Sequence, residues 1–152
     1  MGVATTAGTV LRISAGVPAT FTSAGYAALT YTTVGEITSL GEFGREYSLV
    51  AHNPIDKRGT QKFKGSFNEG TLDLQLGLDT DDAGQILMKA AANSDAVYAV
   101  KITDQKGDIY YMQVAVMKFK VGLNDVNSIS SATTSLEIQT SSTGVGIVEV
   151  LI

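Results

Sequence analysis

The residues that usually carry out chemistry are scarce in this chain. It has one histidine, His52, and no cysteine. His52 therefore has no second histidine or cysteine with which to complete a transition-metal site, and no serine triad accompanies it. We interpret His52 as a contact or surface residue. The lack of cysteine also excludes disulfide scaffolds and thiol nucleophiles.

Acidic residues cluster in the run Asp79-Thr80-Asp81-Asp82. The run lacks the Asp-x-Asp-x-Asp-Gly spacing and the distant glutamate of an EF-hand calcium loop. It suits the start of a helix, because Thr80 can cap the first turn and carboxylates are stabilised at the positive end of the helix dipole. Asp73 and Asp79 would lie about 20 Å apart along a strand, too far for paired carboxylates in glycoside hydrolysis. We predict no enzymatic activity and no cofactor.

Patterns for binding phosphate or nucleic acid are incomplete. No Walker loop occurs, and Gly144-Val145-Gly146 is followed by Glu149 where a dinucleotide fingerprint needs its third glycine. Lys62-Phe63-Lys64 and Lys118-Phe119-Lys120 combine lysines with an aromatic ring, as single-strand binders do. In a strand each phenylalanine points away from its lysine neighbours, so we expect both rings in the core. A net charge of −4 also argues against tight DNA binding.

Charge is unevenly distributed along the chain. Residues 45–64 carry five basic side chains against two acidic ones, whereas residues 68–82 carry five carboxylates and no lysine or arginine. Opposite patches on one subunit can pair head to tail between copies and generate rings or filaments. From charge alone, a solvated surface of mixed charge is the alternative.

Most of the sequence around these residues has the pattern of β-strands. In Thr71–Asp79 leucines alternate with polar residues or glycine, which is the period of two expected of a half-buried strand. A hairpin is predicted from the strand ending near Ile102, through a turn containing Gly107, to a strand over 109–121. The returning strand is apolar on both faces through Met117, so its first half must be covered on both sides. Other strands are predicted near 9–14, 29–37, 135–140 and 147–152.

One helix interrupts the strands, from about Asp81 to Ala92, with a narrow apolar stripe that includes Ile86 and Leu87. Residues 40–60 contain several glycines, Pro54 and most of the basic charge, and show poor periodicity. This pattern predicts a long loop, which we interpret as an interaction loop that orders against a neighbour. Residues 1–8 are rich in small residues and are expected to be mobile.

The chain is therefore predicted to form one mainly β domain over residues 1–152. Its apolar runs, such as Val114–Met117, are far shorter than a bilayer span. Its N-terminal residues lack the basic start and long apolar stretch of a secretion signal. We expect a soluble protein made in the cytoplasm that does not contact a membrane.

Residues 34–44, VGEITSLGEFG, resemble an early signature of the tail tube proteins of long-tailed bacteriophages. The likeness covers about residues 20 to 120, and it consists of spacing and turns with no catalytic signature. Residues 121–152 match only as generic strands, and no immunoglobulin-like domain is appended. The further matching positions are Ile55-Asp56, Lys64-Gly65, Gly70, Asp79, Asp82, Gly84, Gln85, Leu87, Asp104 and Gly107.

The resemblance implies a two-sheet β-sandwich or barrel flanked by a helix. Six copies would form a ring, and stacked rings would form the tail tube through which DNA leaves the virion. The segment 42–60 would be an inter-ring loop, with contacts from Arg45, His52, Asp56, Lys57 and Arg58. A lumen that lets DNA slide should repel phosphate, so the wet face of the leucine strand is a candidate lining, through Asp73, Gln75 and Asp79.

The resemblance also implies partners and a location. These are other copies of the chain, a tape-measure protein, a tail terminator, and DNA in transit without specific binding, in a virion assembled in the host bacterial cytoplasm. Two alternatives stay open. One is a monomeric β-sandwich that binds a small ligand, and the other is the tube subunit of a contractile tail or secretion apparatus.

Overall fold

The computed structural model describes residues 2–152, and this part of the chain is mainly β, as predicted. A large antiparallel sheet is joined by a small two-stranded sheet and two helices. In chain order the elements are β1 Val10–Ser14, α1 Ser23–Ala27, β2 Thr32–Val34, β3 Ile37–Ser39, β4 Glu46–His52, β5 Gln61–Asn68, β6 Thr71–Gly77, α2 Ala83–Ala92, β7 Tyr98–Thr103, β8 Ile109–Gly122, β9 Ser131–Gln139 and β10 Val148–Val150.

The large sheet curls so that one end of each edge strand is brought close to the other. Its strand order is β2-β1-β7-β8-β9-β6-β3, with β10 paired to β8. The edge strands β2 and β3 are neighbours in sequence, with only Gly35 and Glu36 between them. Three residue steps from Val34 to Ile37 span at most about 11 Å. The end of β2 and the start of β3 are therefore close together although the two strands are not paired, and the strand predicted over 29–37 is split at this turn.

One core fills the inside of the curled sheet. Every second residue of β6 is buried, namely Leu72, Leu74 and Leu76, which confirms the predicted alternation. Met88 and Ala91 of α2 join the same core. The other buried members come from β1, β2, β7, β8 and β9, and they include Leu11, Ile13, Val34, Val100, Ile102, Met112, Val114 and Leu136.

The start of α2 ties the two edges of the sheet together. The side chain of Asp82 accepts hydrogen bonds from the backbone of Gln85 at 3.0 Å and of Gly35 at 3.1 Å. Asp82 is therefore the cap, and the prediction that Thr80 caps this helix is wrong. Asp82 is preferred because one carboxylate serves both the first helical turn and the β2–β3 turn.

The predicted helix is confirmed, beginning at Ala83 and ending at Ala92, but its apolar stripe is only partly right. Leu87 is partly buried, whereas Ile86 is 55% exposed and the buried face carries Met88 and Ala91 instead.

The first half of β8 is covered on both faces, as its sequence predicts. Its inner face joins the core, and on its outer face the ring of Tyr111 stacks on Tyr26 of α1 with centroids 5.4 Å apart. The sequence predicted one helix, and α1 is a second. It is only five residues long, and Thr22 caps it by accepting a hydrogen bond from the backbone of Gly25 at 3.3 Å. A helix this short has no apolar period to detect.

Burial of Tyr26 in α1 and of Tyr31, which follows this helix, makes the fold sensitive to alkali. Burial raises the pKa of Tyr26 to about 12, and burial, Tyr111 and Tyr26 raise the pKa of Tyr31 as well. At a pH between the ordinary tyrosine pKa near 10 and the raised pKa, the tyrosine loses its proton in the unfolded chain but keeps it in the folded chain. The stabilisation is therefore complete below pH 10 and is lost as the pH rises, by ~2 kcal/mol for Tyr26 at pH 12.

Urea unfolding from pH 9 to 12 measures this loss. Tyr26→Phe removes the titrating group, so its stability should fall less steeply over the same range. Equal slopes for Tyr26→Phe and the unaltered chain would contradict the assignment to Tyr26.

A candidate functional site: the projecting β-ribbon

Residues 46–68 form a hairpin, which we call the ribbon. The prediction of a long loop over 42–60 is wrong in its secondary structure, because β4 and β5 pair antiparallel from Glu46–Asn68 to His52–Gln61. Only residues 53–60 connect them as a loop. The strands escaped prediction because nearly every residue of β4 and β5 is exposed, so neither shows the alternation of a half-buried strand.

The ribbon continues a pairing that begins inside the large sheet. β3 pairs with β6, and between that pair and the ribbon the backbone N–H of Gly44 donates to the carbonyl of Glu69 at 3.3 Å. Gly41 and Gly70 have φ of +75° and +99°, values that bend the two strands at little cost only for glycine. The ribbon therefore leaves the body at the Thr71 end of β6, away from α2.

The ribbon exposes apolar side chains on both faces. Neither β4 nor β5 packs extensively on another element of the described chain. Leu49 is 68% exposed, Phe63 is 56% exposed and Ile55, at the tip, is fully exposed. The prediction that Phe63 enters the core is wrong because no second layer covers β5. The matching prediction for Phe119 is confirmed, since it is half-buried against the core.

An ion pair fixes the ribbon at its base. The guanidinium of Arg45 donates to Oε1 of Glu69 through Nε at 2.9 Å and Nη2 at 2.7 Å, and Glu69 is only 2% exposed. The same guanidinium lies 3.8 Å from the ring centroid of Phe67. Gly146 lies against the Glu69 carboxyl group, where a Cβ atom would overlap it. This clamp joins the two residues that flank the ribbon, and Arg45 also donates to the carbonyl of Gly144 at 3.4 Å, which holds the base of the ribbon to the body.

The predicted inter-ring residues occupy two places. Asp56, Lys57 and Arg58 lie in the tip loop, and His52 ends β4 beside it; all four are exposed. The hydroxyl of Thr60 donates to Asn53 at 2.7 Å across the base of this loop. Arg45 lies at the opposite end of the ribbon, bound within its own chain. The inter-ring role of all five stays a prediction.

The predicted lumen residues are only partly brought together. Asp73 and Gln75 lie exposed on the outer face of β6, where Asp73 accepts a hydrogen bond from the hydroxyl of Ser135 at 3.0 Å. Asp79 lies beyond the end of β6, in the turn before α2. The cross-strand register places Lys118 and Lys120 on the same outer face as Asp73 and Gln75, two strands away. This face therefore has mixed charge, and its role as a lumen lining stays a prediction.

Outside the ribbon, no cluster of side chains among residues 2–152 is arranged as a metal site. No group of three or more histidine and acidic residues in that range is placed to hold a metal ion. A groove of about 450 Å³ is lined by apolar residues such as Ile37, Phe43 and Tyr110. Its one carboxylate, Asp104, already accepts hydrogen bonds from the backbone of Lys106 and Asp108 in the β7–β8 turn.

Neither helix in the described part of the chain has the length and apolar character needed to cross a bilayer.

Two features of the site were missed from the sequence. One is the set of exposed apolar residues on the ribbon, and the other is the Arg45–Glu69 clamp. The available signal was weak, because Arg45 and Glu69 simply flank the Asn53–Thr60 loop at similar distances along the chain. Unless residues 46–68 are known to form a hairpin, this spacing does not indicate that Arg45 and Glu69 are in contact.

The fold is shared with parts of phage-like injection machines. A chain in the cryo-EM structure of the anti-feeding prophage baseplate, six-fold symmetrised, has a TM-score of 0.65 at 10% identity, over 91% of this chain and 93% of that one. A chain in the PVC extracellular contractile injection system, in the sheath/tube terminator in the extended state, has a TM-score of 0.66 at 8% identity over 99% of both chains. A chain in the PVC sheath–tube complex has a TM-score of 0.61 at 8% identity, over 95% of this chain and 88% of that one.

Sequence comparisons add nothing to this likeness. No protein-family model matches the chain, and no curated protein matches it. At 8 to 10% identity the structural neighbours show a common fold. That fold occurs in the structures of the anti-feeding prophage baseplate, the PVC sheath/tube terminator and the PVC sheath–tube complex.

The clamp at the base of the ribbon can be tested by Arg45→Ala. Removing the guanidinium leaves the buried Glu69 carboxylate without its partner, which should lower the free energy of unfolding. Hydrogen exchange of residues 46–68 should accelerate by more than that of β6. Arg58→Ala, at the exposed tip of the same ribbon, is the matched control and should change stability by less than about 0.5 kcal/mol. Equal effects of the two substitutions would contradict the clamp.

Proposed function

We propose that this chain is a structural subunit, without enzymatic activity, that assembles with copies of itself into the tube of a phage tail or phage-tail-like particle. We further propose that six copies make a ring and that rings stack into a tube that conducts DNA out of a virion. The single observation that carries the proposal is the ribbon, whose apolar residues have no cover within one copy.

The energetics of the ribbon favour a partner. An isolated two-stranded hairpin is marginally stable in water, and large exposed apolar patches usually mark interaction sites. Leu49, Val50 and Phe63 are each about half exposed or more, at 68%, 48% and 56%. Covering them with a neighbouring copy removes apolar surface from water at about 25 cal/mol per Å². Assembly therefore stabilises a segment that the monomer leaves exposed.

The edges of the large sheet favour lateral association as well. β2 and β3 each pair with one neighbouring strand in the described chain, and each is three residues long. A strand paired on one side only presents free N–H and carbonyl groups on the other side, and these invite a further strand. Ring closure would satisfy them through neighbouring copies.

The structural neighbours support the same class of function. They belong to a six-fold symmetrised prophage baseplate and to the sheath–tube complex of a contractile injection system. By analogy this chain would meet further tail components, namely a tape-measure protein, a tail terminator and, in a contractile particle, a sheath. A sheath partner would separate the contractile form from the tube of a long-tailed phage. DNA would pass without being gripped, in keeping with the net charge of −4.

A ligand-binding monomer is the rival from another class. It would use a cleft such as the 450 Å³ groove near Phe43 and would stay monomeric at any concentration. The proposed subunit should instead elute earlier in size exclusion as its concentration rises.

The tip of the ribbon provides the test. Replacing residues 53–60 by Asn-Gly keeps a two-residue hairpin turn between β4 and β5 and removes the exposed tip. This variant should fold with unfolding energetics within about 0.5 kcal/mol of the unaltered chain, because the tip has no core contacts. It should no longer elongate into tubes by negative-stain microscopy.

A second variant separates the effect of loop length from the effect of the tip side chains. Replacing the same eight residues by Gly and Ser preserves the reach of the loop while removing Ile55 and the charged side chains. We expect it to fail at elongation too. Normal tubes from both variants would refute the role assigned to the ribbon tip.

A further inference from the structure

A second apolar surface lies at the opposite end of the body. A groove of about 290 Å³ runs between α2 and the distal part of β8, lined by Leu78, Ile86, Phe119 and Val121. Ile86 is 55% exposed and Val121 is 48% exposed. The adjoining β8–β9 loop adds Leu123, Val126 and Ile129, which are 73%, 97% and 82% exposed. We call these residues together the α2 groove.

The α2 groove and the ribbon lie at opposite ends of β6. The ribbon departs from the Thr71 end, and Leu78 of the groove follows the Gly77 end. Seven residues of strand separate these ends by about 20 Å. One copy therefore cannot bury both surfaces against each other without bending the ribbon back along the body. Two copies in the same orientation can bring them together.

Charge at the two surfaces is complementary. Next to Ile55, the ribbon tip carries Lys57 and Arg58, both exposed. Asp79 lines the α2 groove and the exposed Asp81 lies beside it. The groove also contains the basic Lys89, and the tip also carries the acidic Asp56. The tip is nevertheless basic on balance, and the groove is acidic on balance. Opposite potentials of this kind fix the orientation and register of an encounter.

The size of the groove suits a side chain better than a free ligand. Small-molecule sites usually measure about 300 to 1,000 Å³ and enclose most of the ligand, whereas a cavity of about 150 Å³ already holds a benzene ring. The α2 groove is therefore large enough for one or two apolar side chains. Ile55 is the most exposed large apolar residue of the ribbon and lies among the basic residues of its tip.

We propose that the α2 groove of one copy receives the ribbon tip of the next copy, with Ile55 in the groove and Lys57 and Arg58 facing Asp79 and Asp81. The contact uses two different surfaces of the same chain, so it is heterologous and propagates along an axis. This inference rests on the proposed function and names the surface that accepts the ribbon. It explains why exposed apolar residues are found at both ends of β6.

Disulfide trapping tests this contact, because the chain has no cysteine of its own. Ile55→Cys and Ile86→Cys are made in separate chains, mixed in equal amounts under assembly conditions, and oxidised. The expected product is a covalent dimer that contains one copy of each variant. The control pairs Ile55→Cys with Ala27→Cys, an exposed position on α1. Because docking raises the effective concentration of the two thiols, the first pair should cross-link at least roughly tenfold faster.

Microscopy of the same samples distinguishes the two proposals. Assembled tubes with fast cross-linking between Ile55→Cys and Ile86→Cys would support the docking contact. Assembled tubes in which that pair reacts no faster than the α1 control would overturn the α2 groove and leave the tube function standing. A failure to assemble in the mixture and in the unaltered chain would overturn both.

Discussion

The fold depends on one buried amide, the side chain of Gln85, which is 2% exposed. Its Nε2 donates to the carbonyls of Gly35 at 3.0 Å and Gly77 at 2.9 Å, and its Oε1 accepts from the backbone of Asp79 at 3.0 Å. These bonds join the β2–β3 turn, the end of β6 and the turn before α2. Inside a low-dielectric core such bonds are strong, and leaving any of these groups unpaired is costly. Gln85 thereby holds the two edges of the large sheet together.

Closure of the sheet explains why the ribbon stands alone. Once β2 and β3 meet, the inside of the sheet is filled by its own core and by α2. The pairing of β3 with β6 continues beyond the body as β4 and β5, where no layer remains to cover either face. The apolar side chains of the ribbon can therefore be covered only by another molecule. The proposed polymer follows from this arrangement.

The sequence predicted the elements whose apolar pattern follows directly from how they are buried. β6 showed the leucine alternation, and β8 showed an apolar first half that required cover on both sides. The helix α2 was located to within two residues at its start, but its cap was missed because Asp82 is selected by Gly35, which is distant in sequence. The contact between the helix cap and the β2–β3 turn adds to the local bond that Asp82 accepts from Gln85.

The candidate site was predicted less well, for a physical reason. A ribbon exposed on both faces has no hydrophobic period, so β4 was interpreted as loop, the extent of β5 was not predicted, and Phe63 was placed in the core. What the sequence did indicate was the concentration of basic residues in 45–64 and their separation from the acidic stretch 68–82. The inter-ring role of the tip and the lumen role of Asp73 and Gln75 remain predictions.

The central claim is that isolated copies are incomplete and that identical neighbours complete them. Negative-stain microscopy of concentrated, tag-free protein, read beside its size-exclusion profile across a dilution series, tests this most directly. The account predicts rings or tubes at high concentration that disappear on dilution. A uniform monomer at every concentration, with the amides of residues 46–68 already protected from hydrogen exchange, would contradict it.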